Sequence, residues 1–179
     1  MKIFLDTAET DVVRKHFKTG LIDGLTTNPS LIRKSGRKHE EVYQEFKDIG
    51  LKDISMEVIG SKENMISEGL RLHKKFGKVA TIKVGAAYVS PFVGRVDDNS
   101  FGGLCLIKDI ANVYAKQNWT STEILAASIR NVRDVGRAFE YGANICTIPT
   151  KVFEGMYNHI LTDAGLKQFD IDYAESIKE

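Results

Sequence analysis

The chain has 179 residues, 42% hydrophobic and 27% charged, which is enough for one sizeable globular core. Its 25 basic and 24 acidic side chains leave a net charge of +1, so no long-range field attracts nucleic acid or a membrane surface. Any anionic ligand therefore needs a local site, and no run approaches the roughly 18 apolar residues of a membrane span.

The first strand is expected over 2–7. An amphipathic helix follows with Val12, Val13, His16 and Phe17 on one side, and it stops near Gly20. A second strand spans 24–28 and ends at Pro29; a short helical piece covers 30–34. A longer helix carries Val42, Phe46 and Ile49 at i, i+4, i+7. Residues 54–59 read as a third strand. Ser61 is placed to cap the helix 62–76, with Gly77 at its end. Strands at 79–84 and 88–93 come next. A helix with Leu106, Ile107, Ile110, Val113 and Tyr114 follows, and then a strand at 123–129. Asn131 can cap the next helix with Asp134 in a capping-box position, and Gly142 stops it. The last strand is 144–148. Thr150 then caps a helix with Phe153, Met156, Tyr157 and Ile160, and a polar-faced helix over 162–178 closes the chain.

Repeated strand-then-helix order predicts a parallel sheet. Seven such strands, with no Gly-rich nucleotide loop after the first, predict an α/β fold of the (β/α)8 TIM-barrel type in a single domain over 1–179. One junction does not fit. Only Gly85-Ala86-Ala87 separates Val84 from Tyr88, whereas parallel neighbours need a crossover of about a dozen residues. About one βα unit is therefore missing between Val84 and Tyr88.

Alternate strand residues face opposite sides, and a barrel tolerates inward polar residues only near the C-terminal ends of its strands. Asp6 shares the parity of Phe4. Thr26 and Asn28 share a face, Glu57 falls late in the third strand, and Thr81 and Lys83 share a face in the fourth. Ser90 and Phe92 share a face with Arg95 beyond; Ala126 and Ser128 share a face with Arg130 beyond. Each residue alone suits a cap, a turn or a solvated surface. Their repetition late in six strands is what points to a site.

That set permits definite chemistry. A desolvated Lys83 can serve as a neutral amine that attacks a ketone. Asp6 can remove a hydroxyl proton, and Glu57 can move protons through a water. Asn28 and Ser90 can bond substrate hydroxyls, and Arg95, Ser128 and Arg130 form a phosphate clamp. No His, Cys or carboxylate cluster has metal-ligand spacing. His16, His39, His73 and His159 fall on expected helices as structural or surface residues. Cys105 and Cys146 suit buried free thiols in a reducing interior. The apolar start ends at Asp6, too short for a signal peptide core, so a cytoplasmic location is expected.

Five stretches resemble the small transaldolase family, which also contains fructose-6-phosphate aldolase. They are Phe4-Leu5-Asp6-Thr7, Gly24-Leu25-Thr26-Thr27-Asn28-Pro29-Ser30, Ile82-Lys83-Val84, Tyr88 through Arg95, and Ala126-Ala127-Ser128-Ile129-Arg130. The resemblance implies that Lys83 is the Schiff-base lysine, Asp6 the acid/base residue and Glu57 the water-activating carboxylate. Thr26, Asn28, Ser90 and Phe92 become substrate-binding positions, and Arg95, Ser128 and Arg130 phosphate-binding ones. The aldolase branch carries glutamine at the place of Glu57 and tyrosine at that of Phe92, so both residues favour transaldolase.

The implied reaction moves a dihydroxyacetone unit between sugar phosphates in the pentose phosphate pathway, with no cofactor and no metal. The family also implies a ring-like homo-oligomer, a decamer or pentamer. A helix, a strand and a second helix of the family are absent here, and with them a threonine that helps hold the catalytic water. Lys83 also aligns with a family lysine just before the glycine-alanine pair that precedes Tyr88; the strand pattern of 79–84 favours the catalytic alignment. Besides an active transaldolase, the sequence admits an aldolase, an inactive homologue that binds phosphosugars or only assembles, and a functional protein longer than this chain.

Overall fold

Runs of apolar and β-branched residues form seven strands in the computed structural model: β1 (Lys2–Asp6), β2 (Gly24–Thr26), β3 (Ile54–Met56), β4 (Ala80–Ile82), β5 (Tyr88–Val89), β6 (Glu123–Ala126) and β7 (Ile145–Ile148). The structure describes residues 1–77, 80–82, 88–118 and 121–177; Lys83 and the 85–87 junction lie outside them. All pairings are parallel, in the order β4-β3-β2-β1-β7-β6-β5. The first and last strands of the chain are neighbours, as closure of a barrel requires, with Phe4 opposite Thr147 and Leu5 opposite Ile148. β4 and β5 are the two edges, and no pairing joins them among the described residues. This is a β/α barrel short of about one βα unit, and the gap falls where the crossover is too short.

The two faces of the sheet are filled differently. Leu5, Leu25, Ile54, Met56, Ile124, Ala126, Cys146 and Ile148 pack outward against helix residues such as Val13, Phe46, Leu72 and Val135. Phe4, Leu125, Ala127 and Ile145, with Tyr88, form a smaller cluster inside the curl. Gly24 is required beneath it, because a Cβ there would lie 2.7 Å from the Phe4 ring and 2.7 Å from the Asp53 carbonyl. Tyr88 Oη donates to Asp53 Oδ2 at 2.6 Å. Asp53 immediately precedes β3, so this bond spans the interior from the β5 edge to the opposite wall.

Three helices on the outer face begin at a side-chain cap, supplied by Asn28, Ser61 and Asn131. In α1 (Thr10–Phe17), Val13 and His16 are buried. Pro29 opens α2 (Pro29–Ser35), and α3 (His39–Ile49) buries Val42, Tyr43 and Phe46. Ser61 caps α4 (Lys62–Phe76), accepting from the Asn64 amide at 3.3 Å. Two helices fill the next crossover, α5 (Val93–Asp97) and α6 (Gly103–Lys116). Asn131 caps α7 (Val132–Glu140), accepting from the Asp134 amide at 2.9 Å and donating to the Asp134 side chain at 2.6 Å.

Several expectations are corrected. The strand expected over 88–93 stops at Val89, because Pro91 has no amide to donate to a ladder. Phe92 keeps a single bridge to Ala127, and Val93 starts α5. β6 ends at Ala126 rather than 129, since Ser128 adopts a left-handed backbone at φ 58°. Ala126 accordingly packs outward, and it is Leu125 and Ala127 that face inward. The helix expected from Thr150 to Ile160 ends at Gly155 as α8 (Thr150–Gly155), with Pro149 rather than Thr150 at its N-cap, and the helix expected over 162–178 starts earlier, as α9 (Ile160–Ser176), capped by His159. His159 is thus a cap rather than a helical residue. α9 buries none of its residues. Cys146 is buried as expected, whereas Cys105 is exposed.

Candidate active site

Asp6 ends β1 and is half-buried on the interior face. Thr26, which ends β2, donates from Oγ1 to Asp6 Oδ1 at 2.8 Å. The same hydroxyl lies 2.6 Å from Thr147 Oγ1 on β7. Both threonines are almost fully buried, at 2% and 4% exposure. Ser55, in register with Thr26 and Thr81, is fully buried, and its hydroxyl has no hydrogen-bond partner among the described residues. Ser90 Oγ is likewise buried and unpartnered among them. Polar side chains therefore gather at the C-terminal ends of neighbouring strands, above the apolar floor of Phe4, Leu125 and Ile145.

A second corner forms where α5 docks on the end of β6. The amides of Val93 and Gly94 donate to the carbonyls of Ala127 and Ser128 at 2.9 and 3.1 Å. This sets Ser128 and Arg130 beside the helix that carries Arg95. Arg130 donates from Nη1 and Nη2 to the two oxygens of Asp98, each at 2.6 Å. That fork holds the Asp98 carboxyl below the usual carboxylate range, with the charge of Arg95 adding to it, and pushes the guanidinium up. Gly94 makes room for the arrangement: a Cβ there would lie 2.6 Å from Arg130 Nε and 2.6 Å from the Ser128 carbonyl. Arg95 is exposed, and Phe92 is 50% exposed.

Two expected site residues lie against helices. Asn28 Oδ1 accepts from the Leu31 amide at 3.0 Å as the N-cap of α2. Glu57, just past β3, lines a cavity of about 280 Å³ with Tyr43, Glu68 and Arg71, between α3 and α4. Burial pushes the Tyr43 hydroxyl up to about 12, and the charges of Glu57 and then Glu68 add to this. A larger surface hollow of about 850 Å³ lies along α3, lined by Arg37, Glu41 and Lys75, away from the strand ends. No group of three His, Cys, Asp or Glu could hold a metal ion among the described residues.

The structure thus joins Asp6 to Thr26, and Ser128 and Arg130 to the α5 corner, while it sets Glu57 against α3 and α4. Sequence reasoning missed Thr147, Ser55, Asp98 and Gly94. The first two had a signal, since each is the small polar residue alternating with apolar neighbours in its strand. Asp98 and Gly94 had none until α5 replaced the expected strand.

This is a (β/α)8-type wall whose polar side chains collect where barrel enzymes hold their sites. Two 3-hexulose-6-phosphate synthase structures share the fold. One, from Salmonella typhimurium, has a TM-score of 0.51 at 13% identity over 86% of this chain and 91% of its own; the other has 0.51 at 9% over 86% and 92%. The family model described as Transaldolase/Fructose-6-phosphate aldolase matches residues 3–86 and 78–179. A Caulobacter vibrioides protein named probable transaldolase is 41% identical over 213 aligned positions, covering 98% of each chain. One from Cereibacter sphaeroides is 38% identical over 98% of this chain and 97% of its own. The chain belongs to the transaldolase/fructose-6-phosphate aldolase family. The 213-position alignment is longer than the 179-residue chain, so the relative carries residues that this chain lacks. The two family segments overlap at 78–86, so Lys83 is reached from both sides of the lost unit.

Proposed function

We propose that this chain is a transaldolase working through a Schiff base on Lys83. The observation that carries the reading is the half-buried Asp6 carboxylate, held by Thr26 at the strand ends of a barrel of this family. The Lys83 amine attacks the ketone carbon of a ketose phosphate, and loss of water gives an iminium ion. Asp6 takes the proton from the hydroxyl on the far carbon of the bond to be cleaved. That bond breaks, an aldose phosphate leaves, and the dihydroxyacetone unit stays on Lys83 as an enamine. The enamine carbon then attacks the aldehyde of the acceptor, whose oxygen receives the proton back from Asp6. Water releases the product and the amine.

Ser90, Thr26 and the side-chain amide of Asn28 would bond the sugar hydroxyls, and Phe92 would lie beside them. Arg95, Ser128 and Arg130 would bind the phosphate; Arg130 must then share or leave its fork with Asp98. The role of Glu57, proton transfer through a water, rests on the family resemblance. Glu57 and Phe92 favour transaldolase over fructose-6-phosphate aldolase. This chemistry uses no cofactor, and it belongs to the pentose phosphate pathway in the cytoplasm.

Borohydride reduction in the presence of fructose 6-phosphate tests the mechanism: an adduct on Lys83, found by peptide mass spectrometry, is expected. Folded protein that gives neither adduct nor exchange refutes it. A second reading, an inactive homologue that binds phosphosugars or only assembles, is favoured by the β4 and β5 edges, which no pairing joins among the described residues. It predicts phosphosugar binding without exchange. We also infer a homo-oligomer, because Leu166, Phe169 and Tyr173 of α9 are all exposed. Light scattering that returns a monomer refutes that inference.

A further inference from the structure

Thr147 lies 121 residues from Thr26, and the two hydroxyls meet inside the barrel at 2.6 Å. On β7 the inward positions are Ile145, which belongs to the apolar floor, and Thr147 above it. Valine would match threonine in shape, strand preference and burial there, so packing alone does not account for the hydroxyl.

Counting protons fixes the direction of the bonds. A threonine hydroxyl has one proton and two lone pairs, and an ionised carboxylate only accepts. Thr26 gives its proton to Asp6 Oδ1, so it must accept from Thr147. The result is a one-way chain, Thr147 to Thr26 to Asp6. Each bond in such a chain polarises the next, and a bond to an ionised acceptor is about twice as strong as a neutral one. The chain therefore favours the carboxylate over the acid and fixes its rotation about Cβ–Cγ, which aims Oδ2.

We propose that Thr147 is a positioning residue for Asp6, acting through Thr26 to hold the carboxylate ionised and oriented for proton abstraction. The inference rests on the reading of Asp6 as the base. Thr147 touches no reacting atom, so its removal lowers turnover while leaving Schiff-base formation and phosphate binding in place.

The test compares Thr147→Val with Thr147→Ser in the full chain. Thr147→Val is expected to lower kcat about tenfold with KM within twofold of wild type, to keep the borohydride adduct, and to keep its circular dichroism spectrum. Thr147→Ser restores the hydroxyl and is expected to return kcat to within about threefold. Wild-type turnover in Thr147→Val, or equal losses in both variants, overturns the proposal. A second measurement does not need turnover: ¹³C NMR of the Asp6 carboxyl follows its titration directly. In Thr147→Val the midpoint is expected to move up by about one pH unit, and in Thr147→Ser by much less. No movement in either overturns the chain even where wild type shows no exchange. An inactive wild type with the midpoint moved refutes transaldolase activity and leaves the positioning role standing.

Discussion

Gly94→Ala tests the docking of α5 on the end of β6. The new Cβ would lie 2.6 Å from the Ser128 carbonyl oxygen and 2.6 Å from Arg130 Nε. Arg130 can swing away, but the Ser128 oxygen is backbone and accepts the Gly94 amide at 3.1 Å. To reach ordinary contact, α5 must move by roughly 0.8 Å, an overpacking change that costs about 1–3 kcal/mol. In a chain of this size that is a fall in Tm of roughly 3–10 °C. The shift also displaces Arg130 from the corner where the phosphate is proposed to bind. Loss of one charge-assisted bond, about 1.5–3 kcal/mol, raises KM for a sugar phosphate by roughly ten- to a hundredfold. The assays are a thermal melt followed by circular dichroism and steady-state exchange kinetics. Gly136→Ala in α7 is the control, because nothing lies within 4 Å of its added Cβ. It should be neutral or slightly stabilising, by up to about 1 kcal/mol. Gly94→Ala with wild-type Tm and wild-type KM would refute the argument from close approach.

Tyr88→Phe removes the hydroxyl that reaches Asp53 across the interior and should cost about 1–3 kcal/mol in urea unfolding, with the active-site adduct preserved. Asn28→Ala removes the cap of α2 and should cost about 0.5–2 kcal/mol, whereas Asn28→Asp keeps the cap; comparing their KM values separates the cap from any contact with substrate. Burial pushes the Cys146 thiol up to about 12, so one thiol per folded chain, Cys105, should react with a maleimide near neutral pH, and two after denaturation. The same shift has a sign in stability. Above about pH 9 the unfolded thiol loses its proton while the folded one keeps it, so its contribution declines as pH rises toward 12. Cys146→Ala should flatten that alkaline decline, and an unchanged slope would show that other groups carry it.

The sequence by itself determined the alternation of strands and helices, because periodicity and caps are local: Ser61, Asn131 and Pro29 start their helices where the chain supplies the right atom. It also determined the missing unit, since three residues cannot carry a parallel crossover. It placed Asp6 on the face of Phe4 by parity alone. It carried β6 on through Ser128, where the backbone turns left-handed, and it extended the strand after Tyr88 through Pro91, which has no amide to donate to a ladder. Which distant groups meet was decided by the tertiary structure. Thr147 meets Thr26, Tyr88 meets Asp53 and Arg130 meets Asp98 because register and curl bring separate strand ends together. A hydrogen bond acts over about 3 Å, whereas the sequence signal that marks each partner is confined to its own strand or helix.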